Sequence, residues 1–461
     1  MIRSAIASLL LALASPVAAQ TIAITGGTVA LGDGSEPIPA GTVVIRNGRI
    51  VAAGVNVGIP QGAEMVDARG KWVTPGIVAG FSRLGLSEVD LSGGLTDDKA
   101  ESGPFGAAID VAPGINPTDS TIAVNRADGV TRAIVAPNAA RSIFGGQGAV
   151  IDLGSDMEPI TRPRAFQFAE LGEAGGNTAG GSRPSAYIQF RNALREAREL
   201  GRYAGPVSSS GRRAEEPLDR PIVRNPNESR LYGWEVERSD DVLLTRFDAA
   251  ALVPVLQGRQ PLLVHVERAR DILNVIGLKR DYPSLKIVLV GATEGWLVAD
   301  RIAAARVPVI ASAVNDLPTT FEQIAATQSN VGRMRDAGVH VAIGMIDDND
   351  TRYLFNERQY AGNLVALGDV PGASGVRWGE ALAMITSRPA EVLGMGRDIG
   401  SLASGRRADV VIWSGDPLQV SSNAEAVFID GVQQPLDTRQ TKLRERYRDL
   451  NRDVLPDAYR R

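Results

Sequence analysis

Residues 262–266 read Leu262-Leu263-Val264-His265-Val266, and a helix-compatible stretch opens at about Arg268. Lys286-Ile287-Val288-Leu289-Val290 repeats the apolar run, and a second helix-like stretch carries Trp296 to Ala305. Val307-Pro308-Val309-Ile310 and His340-Val341-Ala342-Ile343-Gly344 continue the series, and Thr131-Arg132-Ala133-Ile134-Val135 precedes it. Short apolar runs of this kind are strands buried on both faces, and a helix after each supplies the crossover that parallel neighbours need. The repetition predicts an α/β fold, a TIM-type (β/α)8 barrel in preference to an open sheet.

Working outward, both flanks change to antiparallel chemistry. Thr42-Val43-Val44-Ile45-Arg46 meets Asn47-Gly48, a strong hairpin signal, and Arg49 to Gly54 returns. On the far side, Ala408 to Trp413 and Ala426 to Ile429 flank Ser414-Gly415-Asp416-Pro417, and Asp430-Gly431 turns again. The expected organisation is a small β-sandwich from residues 20–73 and 399–435, a barrel over 74–398, and a charged C-terminal arm over 436–461. Residues 202–245, rich in Arg, Glu, Ser, Pro and Asp, read as an insertion within the barrel.

Residues 1–19 read as a signal peptide. Arg3 gives the positive start, Ala5 to Ala14 is too short to span a bilayer, and Val17-Ala18-Ala19 offers a cleavage site before Gln20. The expected location is periplasmic or secreted, with no membrane contact after cleavage. The 461 residues carry a formal charge of −4 and no basic stripe with interleaved aromatics, so no nucleic-acid partner is expected. There is no cysteine, which excludes thiolate nucleophiles, iron–sulfur clusters and cysteine zinc sites. There are only two histidines, His265 and His340.

The stretches Gly41 to Gly54 and Trp72-Val73-Thr74-Pro75-Gly76-Ile77-Val78 resemble the entry into amidohydrolase-superfamily enzymes. Ala381-Leu382 through Pro389-Ala390 to Leu393-Gly394, then Gly400-Ser401-Leu402, Gly405 and Ala408-Asp409-Val410, resemble the exit. The pattern is most similar to the imidazolonepropionase-like branch and brackets nearly the whole chain. The resemblance implies hydrolysis of non-peptide C–N bonds in amides or cyclic amides by a metal-loaded barrel. It also implies His-x-His at the end of the first barrel strand. Phe81 and Arg83 stand there instead, and neither can coordinate a cation.

His265 matches the family's fifth-strand histidine. Gly291 falls where the sixth-strand histidine belongs, and direct alignment puts Ile346 at the eighth-strand aspartate. Asp347 or Asp348 takes that role only with a one-residue shift, and Glu173 is the match for the fourth-strand ligand. Two histidines cannot supply a binuclear site of four histidines and two carboxylate-type ligands. No cofactor is therefore expected, the alternative being a single divalent metal such as zinc held by His265, Glu173 and Asp347 or Asp348.

His265 is either a relic hydrogen-bonded in the barrel mouth or a surviving ligand or general base, with Asp347 as its acid. His340, at the start of a strand, reads as structural. Arg83 is expected to pair inward with Glu88, Asp90 or Asp347, or to take a ligand's carboxylate or phosphate. Gly146 and Gln147, in Phe144-Gly145-Gly146-Gln147-Gly148, read as a flexible ligand loop, and Glu294 as a further mouth residue. Asp347-Asp348-Asn349-Asp350 reads as a solvated loop, or as oxygen ligands for a hard cation. Three functions follow: a degenerate binding or partner subunit (a pseudoenzyme) with a small amide or carboxylate ligand or an intact amidohydrolase as its partner; a C–N hydrolase using one metal or none, centred on His265 and Asp347; or a periplasmic scaffold.

Overall fold

The computed structural model describes residues 21–87, 96–203, 242–346 and 351–448. The expected signal peptide, most of the 202–245 insertion and the end of the C-terminal arm lie outside them. So do Glu88, Asp90, Asp347 and Asp348.

The chain begins with β1 (Thr21–Val29), β2 (Ile38–Arg46), β3 (Arg49–Gly54), β4 (Glu64–Asp67) and β5 (Trp72–Pro75). Asn47 and Gly48 both hold positive φ, 52° and 72°, as the two-residue turn between β2 and β3 requires. The barrel follows with β6 (Ile77–Ser82), β7 (Val130–Val135), β8 (Phe144–Asp152), β9 (Ile160–Glu170), β10 (Leu262–Val266), β11 (Ile287–Gly291), β12 (Val309–Ala311) and β13 (Val341–Ile343). β14 (Val410–Trp413), β15 (Ala424–Ile429) and β16 (Val432–Gln433) end the strand series.

Strands from both chain ends form one eight-stranded mixed sheet, joined where β14 runs antiparallel to β5. The small β domain expected from the two chain ends is present as this sheet, hydrogen-bonded along one path with β4 branching from β1. β1 makes this possible by changing partner along its length, pairing β4 through Ile22 to Thr25 and β5 through Thr28 and Val29. Ile24, Val43, Ile45, Val73, Val410 and Phe428 pack into its own apolar core.

The second sheet runs in sequence order from β6 to β13. Met345 donates its amide to the Phe81 carbonyl at 3.1 Å, bringing the two edge strands together. The strict β-then-α alternation fails at one place. β8 is antiparallel to both β7 and β9, because connections 136–143 and 153–159 are too short for a helical crossover of about a dozen residues. From β10 onward the expected alternation holds, with helices Ala269–Asp281, Ala299–Ala305, Asn330–Asp336 and Asn356–Ala366 after successive strands.

Side-chain alternation sorts the barrel strands into two cores. Leu263, Val288, Val290, Ile310 and Ala342 point inward with Phe81, Phe166 and Phe168. Val264, Leu289, Val309 and Val341 point outward onto the helices. Each inward aromatic ring contributes about 1.5–3 kcal/mol by burial, so the barrel interior is a packed core.

Candidate functional site at the barrel mouth

Leu263 faces inward, so His265 two residues on faces inward as well, at the carboxyl end of β10. The parallel register places Glu170, the last residue of β9, directly beside it. His265 Nδ1 lies 2.7 Å from Glu170 Oε2, and Nε2 lies 2.9 Å from Glu267 Oε1. The second oxygen of each carboxylate accepts a backbone amide: Gly172 N to Glu170 at 3.2 Å and Thr293 N to Glu267 at 2.8 Å. The cluster is thus closed on itself, with every charged group partnered.

Its electrostatics follow. Burial alone would push the His265 imidazole down, but attraction and hydrogen bonds from Glu170 and Glu267 override it and raise its pKa well above 6.5. Burial pushes Glu267 up, and the bonds from His265 and the Thr293 amide outweigh that, leaving it below 4.5. In its protonated form, which the two carboxylates favour, His265 donates from both nitrogens and has no lone pair to offer.

Gly291 explains how Glu267 comes to be there. Its φ is +86°, and a β-carbon at this position would run into Glu267 Oε1. Absence of a side chain at the end of β11 is what admits the carboxylate. The position read as a missing histidine is occupied in space by an acid from the neighbouring strand.

Phe81 is 1% exposed, and its ring lies 5.7 Å from that of Phe168. Arg83 is buried, with its guanidinium carbon 5.9 Å from the centre of the Phe81 ring, and its amide donates to the Thr351 carbonyl. The acids expected to pair with it, Glu88, Asp90 and Asp347, lie outside the described residues. Ile346 is half-buried against the inward core, so an apolar side chain closes that side of the mouth.

Several expected site residues are elsewhere. Glu173 starts the helix Glu173–Thr178, is half exposed, and lies 3.7 Å from Arg183. The strand-end acid is Glu170, because side-chain alternation from Phe166 and Phe168 carries the inward face to 170 and ends there. Phe144 to Gly148 is not a flexible loop; it lies within strand β8. A β-carbon at Gly148 would strike the Phe166 ring, and one at Gly146 would lie 2.7 Å from the Ile109 carbonyl, so these glycines permit close packing. Gln147 accepts from Gln260 at 3.2 Å. Glu294 is buried and accepts the amides of Ala269 and Ala325 at 3.0 and 3.2 Å, which fixes two mouth loops.

His340 precedes β13, so it sits at the opposite end of the barrel from His265, half exposed and 3.4 Å from Glu391. Burial lowers its pKa. Of the trio His265, Glu173 and Asp347 or Asp348, Glu173 lies 3.7 Å from Arg183, and the two aspartates are outside the described residues. Among the described residues, no group of three or more His, Cys, Asp and Glu is arranged to hold a metal ion. Ligands of one tetrahedral zinc, bound at about 2.0–2.1 Å, stand more than roughly 3 Å apart; contacts of 2.7 and 2.9 Å on opposite ring nitrogens are hydrogen bonds.

Glu170 and Glu267 carry a faint signal in the sequence. Phe166, Phe168 and Glu170 alternate on one strand, and Glu267 stands two residues beyond His265.

Known proteins share this architecture. A family model described as "Amidohydrolase family" matches residues 275–433. The amidohydrolase tasK of Hapsidospora irregularis is 26% identical over 415 residues, covering 87% of this chain and 40% of that protein. The chain thus spans about two-fifths of the length of that relative. An amidohydrolase from Thermotoga maritima MSB8 superposes with a TM-score of 0.74 at 24% identity, covering 89% of this chain and 99% of that one. Molinate hydrolase superposes with a TM-score of 0.54 at 17% identity, covering 95% and 98%. Over residues 275–433 the chain is thus similar to the amidohydrolase family in sequence, and its fold is that of amidohydrolase-superfamily barrels.

Proposed function

We propose that this is an exported member of the superfamily whose barrel no longer holds the family's catalytic metal and serves as a binding or partner subunit. One observation carries the reading: His265 is held by a carboxylate on each ring nitrogen, in space that Gly291 vacates. A cationic imidazole between two acids takes over the charge balance that a metal ion would otherwise provide. Phe81 and Arg83, on the first strand, add no electron-pair donor. An intact amidohydrolase is the natural partner, and a small amide or carboxylate the natural ligand class.

Metal analysis tests this. Protein purified without chelator, then exposed to excess zinc and desalted, is expected to keep well under one ion per chain. Two tightly held transition ions per chain would overturn the proposal. Gentle co-purification with an intact amidohydrolase tests the partner arm.

A second reading, C–N hydrolysis centred on His265, is favoured by the cluster's position at the end of the barrel where catalytic groups collect. It requires a neutral imidazole to accept a proton. Because the His265 pKa is raised, such turnover would climb on the alkaline side and vanish in His265→Ala. Turnover insensitive to that substitution removes this reading.

A further inference from the structure

Helices Arg183–Tyr203, Ala269–Asp281 and Ala299–Ala305 wall a surface groove of about 990 Å³. Arg183, Arg191, Arg268, Arg270, Arg280 and Arg301 line it, against only two carboxylates, Asp271 and Asp281. Arg268, next in the chain to Glu267, opens the groove at the mouth rim. From there it runs down the outer wall of the barrel.

Three of the arginines are spent internally. Arg183 reaches Glu322 at 2.6 Å and Asp271 at 3.2 Å, Arg268 reaches Asp271 at 3.0 Å, and Arg191 pairs with Asp281. Arg270, Arg280 and Arg301 are exposed and, among the described residues, make no side-chain hydrogen bond or ion pair. Uncompensated cations gathered along one groove concentrate positive potential there and favour an anionic occupant. Arginine forks suit carboxylates in particular.

The groove is also apolar along its floor, where Leu273, Ile276 and Tyr187 contribute. Bare polyphosphate gains nothing from that floor, whereas apolar side chains do. A flat bilayer cannot enter a concavity walled by three helices. The distance from Arg270 to Arg280 along the helix is roughly 15 Å, the reach of about five residues of extended chain. We propose that this groove docks an acidic peptide segment of a partner protein, its carboxylates alternating with apolar side chains. The inference stands apart from the chemistry of the His265 cluster, which none of its test variants touches.

The experiment is a fluorescence anisotropy titration of the full chain with labelled Glu-Leu-Glu-Leu-Glu-Leu at low and high salt. Saturable binding is expected, weaker at high salt, with no binding of the Lys-for-Glu peptide and no displacement by tripolyphosphate. The triple variant Arg270→Glu/Arg280→Glu/Arg301→Glu should lose at least about tenfold in affinity at unchanged Tm. Should charge reversal disturb folding, the neutral Arg→Gln triple at the same positions should still show a clear loss. No saturable binding by the unmodified chain, equal affinity in a folded triple variant, or full displacement by tripolyphosphate would each overturn the proposal.

Discussion

Two basic side chains, Arg132 and His265, sit at opposite ends of one barrel, and they are built for different ends. Arg132, on β7, is fully buried and donates to both oxygens of Asp409 at 2.8 and 3.0 Å, and to Thr161 at 2.7 Å. It also pairs with Asp430 at 2.9 Å and Asp152 at 3.4 Å. Asp409 immediately precedes β14 and Asp430 forms the β15–β16 turn, so this one guanidinium ties the barrel to the mixed sheet. His265 holds two carboxylates at the other end, among loops. The first cation cannot lose its proton and acts as a rivet. The second can, and sits where superfamily barrels keep their chemistry.

The sharpest way to break the comparison is to remove each cation. Arg132→Met leaves the buried Asp409 without its charge partner, while Asp430 keeps Arg407, and denaturant unfolding should show a loss of about 3–5 kcal/mol. Arg132→Lys should recover only part, because a single ammonium cannot fork across Asp409. A loss under about 1 kcal/mol would mean the two sheets are held by apolar packing alone.

Gly291→Ala is expected to rank next. It places a β-carbon at φ +86° and displaces the Glu267 carboxylate. The strain alone is worth about 1–3 kcal/mol, and the His265 pKa should fall as one of its two acids moves away. An unchanged His265 titration in a folded Gly291→Ala protein would show that Glu267 does not depend on that space. Glu267→Gln, which keeps the shape and removes the charge, should lower the His265 pKa with a smaller loss of stability.

The pH dependence is the gentlest probe. His265 has a higher pKa folded than its ordinary 6.5, so its contribution is whole below that value and fades as pH rises through the folded one. Glu267 has a lower pKa folded than its ordinary 4.5, so its contribution is whole above that value and fades as pH falls through the folded one. The cluster should therefore stabilise most between these two ordinary values. His265→Gln should flatten that part of the stability curve; a curve unchanged by the substitution would detach the cluster from stability. Arg132 variants should lower the curve without reshaping its neutral and alkaline parts.

How much of this was legible beforehand differs between regions for physical reasons. The runs at β10 and β11 and the turns at Asn47-Gly48 and Asp430-Gly431 carry local signals, and the structure follows them; Asp430 and Gly431 hold φ of 51° and 76°. β8 misled because its glycines mimic a loop, whereas they exist to admit the Phe166 ring from β9. Glu170 and Glu173 look alike in sequence, because the choice between them depends on which face of β9 meets His265, a matter of strand register. Arg132 reads as one residue of an apolar run; its partners Asp409 and Asp430 are more than 250 residues away, and no local pattern announces them.

The state of the His265 ring is the most direct test of the whole reading. With only two histidines in the chain, its imidazole nitrogens can be resolved by 15N NMR at neutral pH, with and without zinc. Both nitrogens are expected to be protonated, each donating to a carboxylate, with no change when zinc is added. One bare nitrogen that shifts on zinc addition, retained after desalting, would contradict the assignment and restore His265 as a metal ligand.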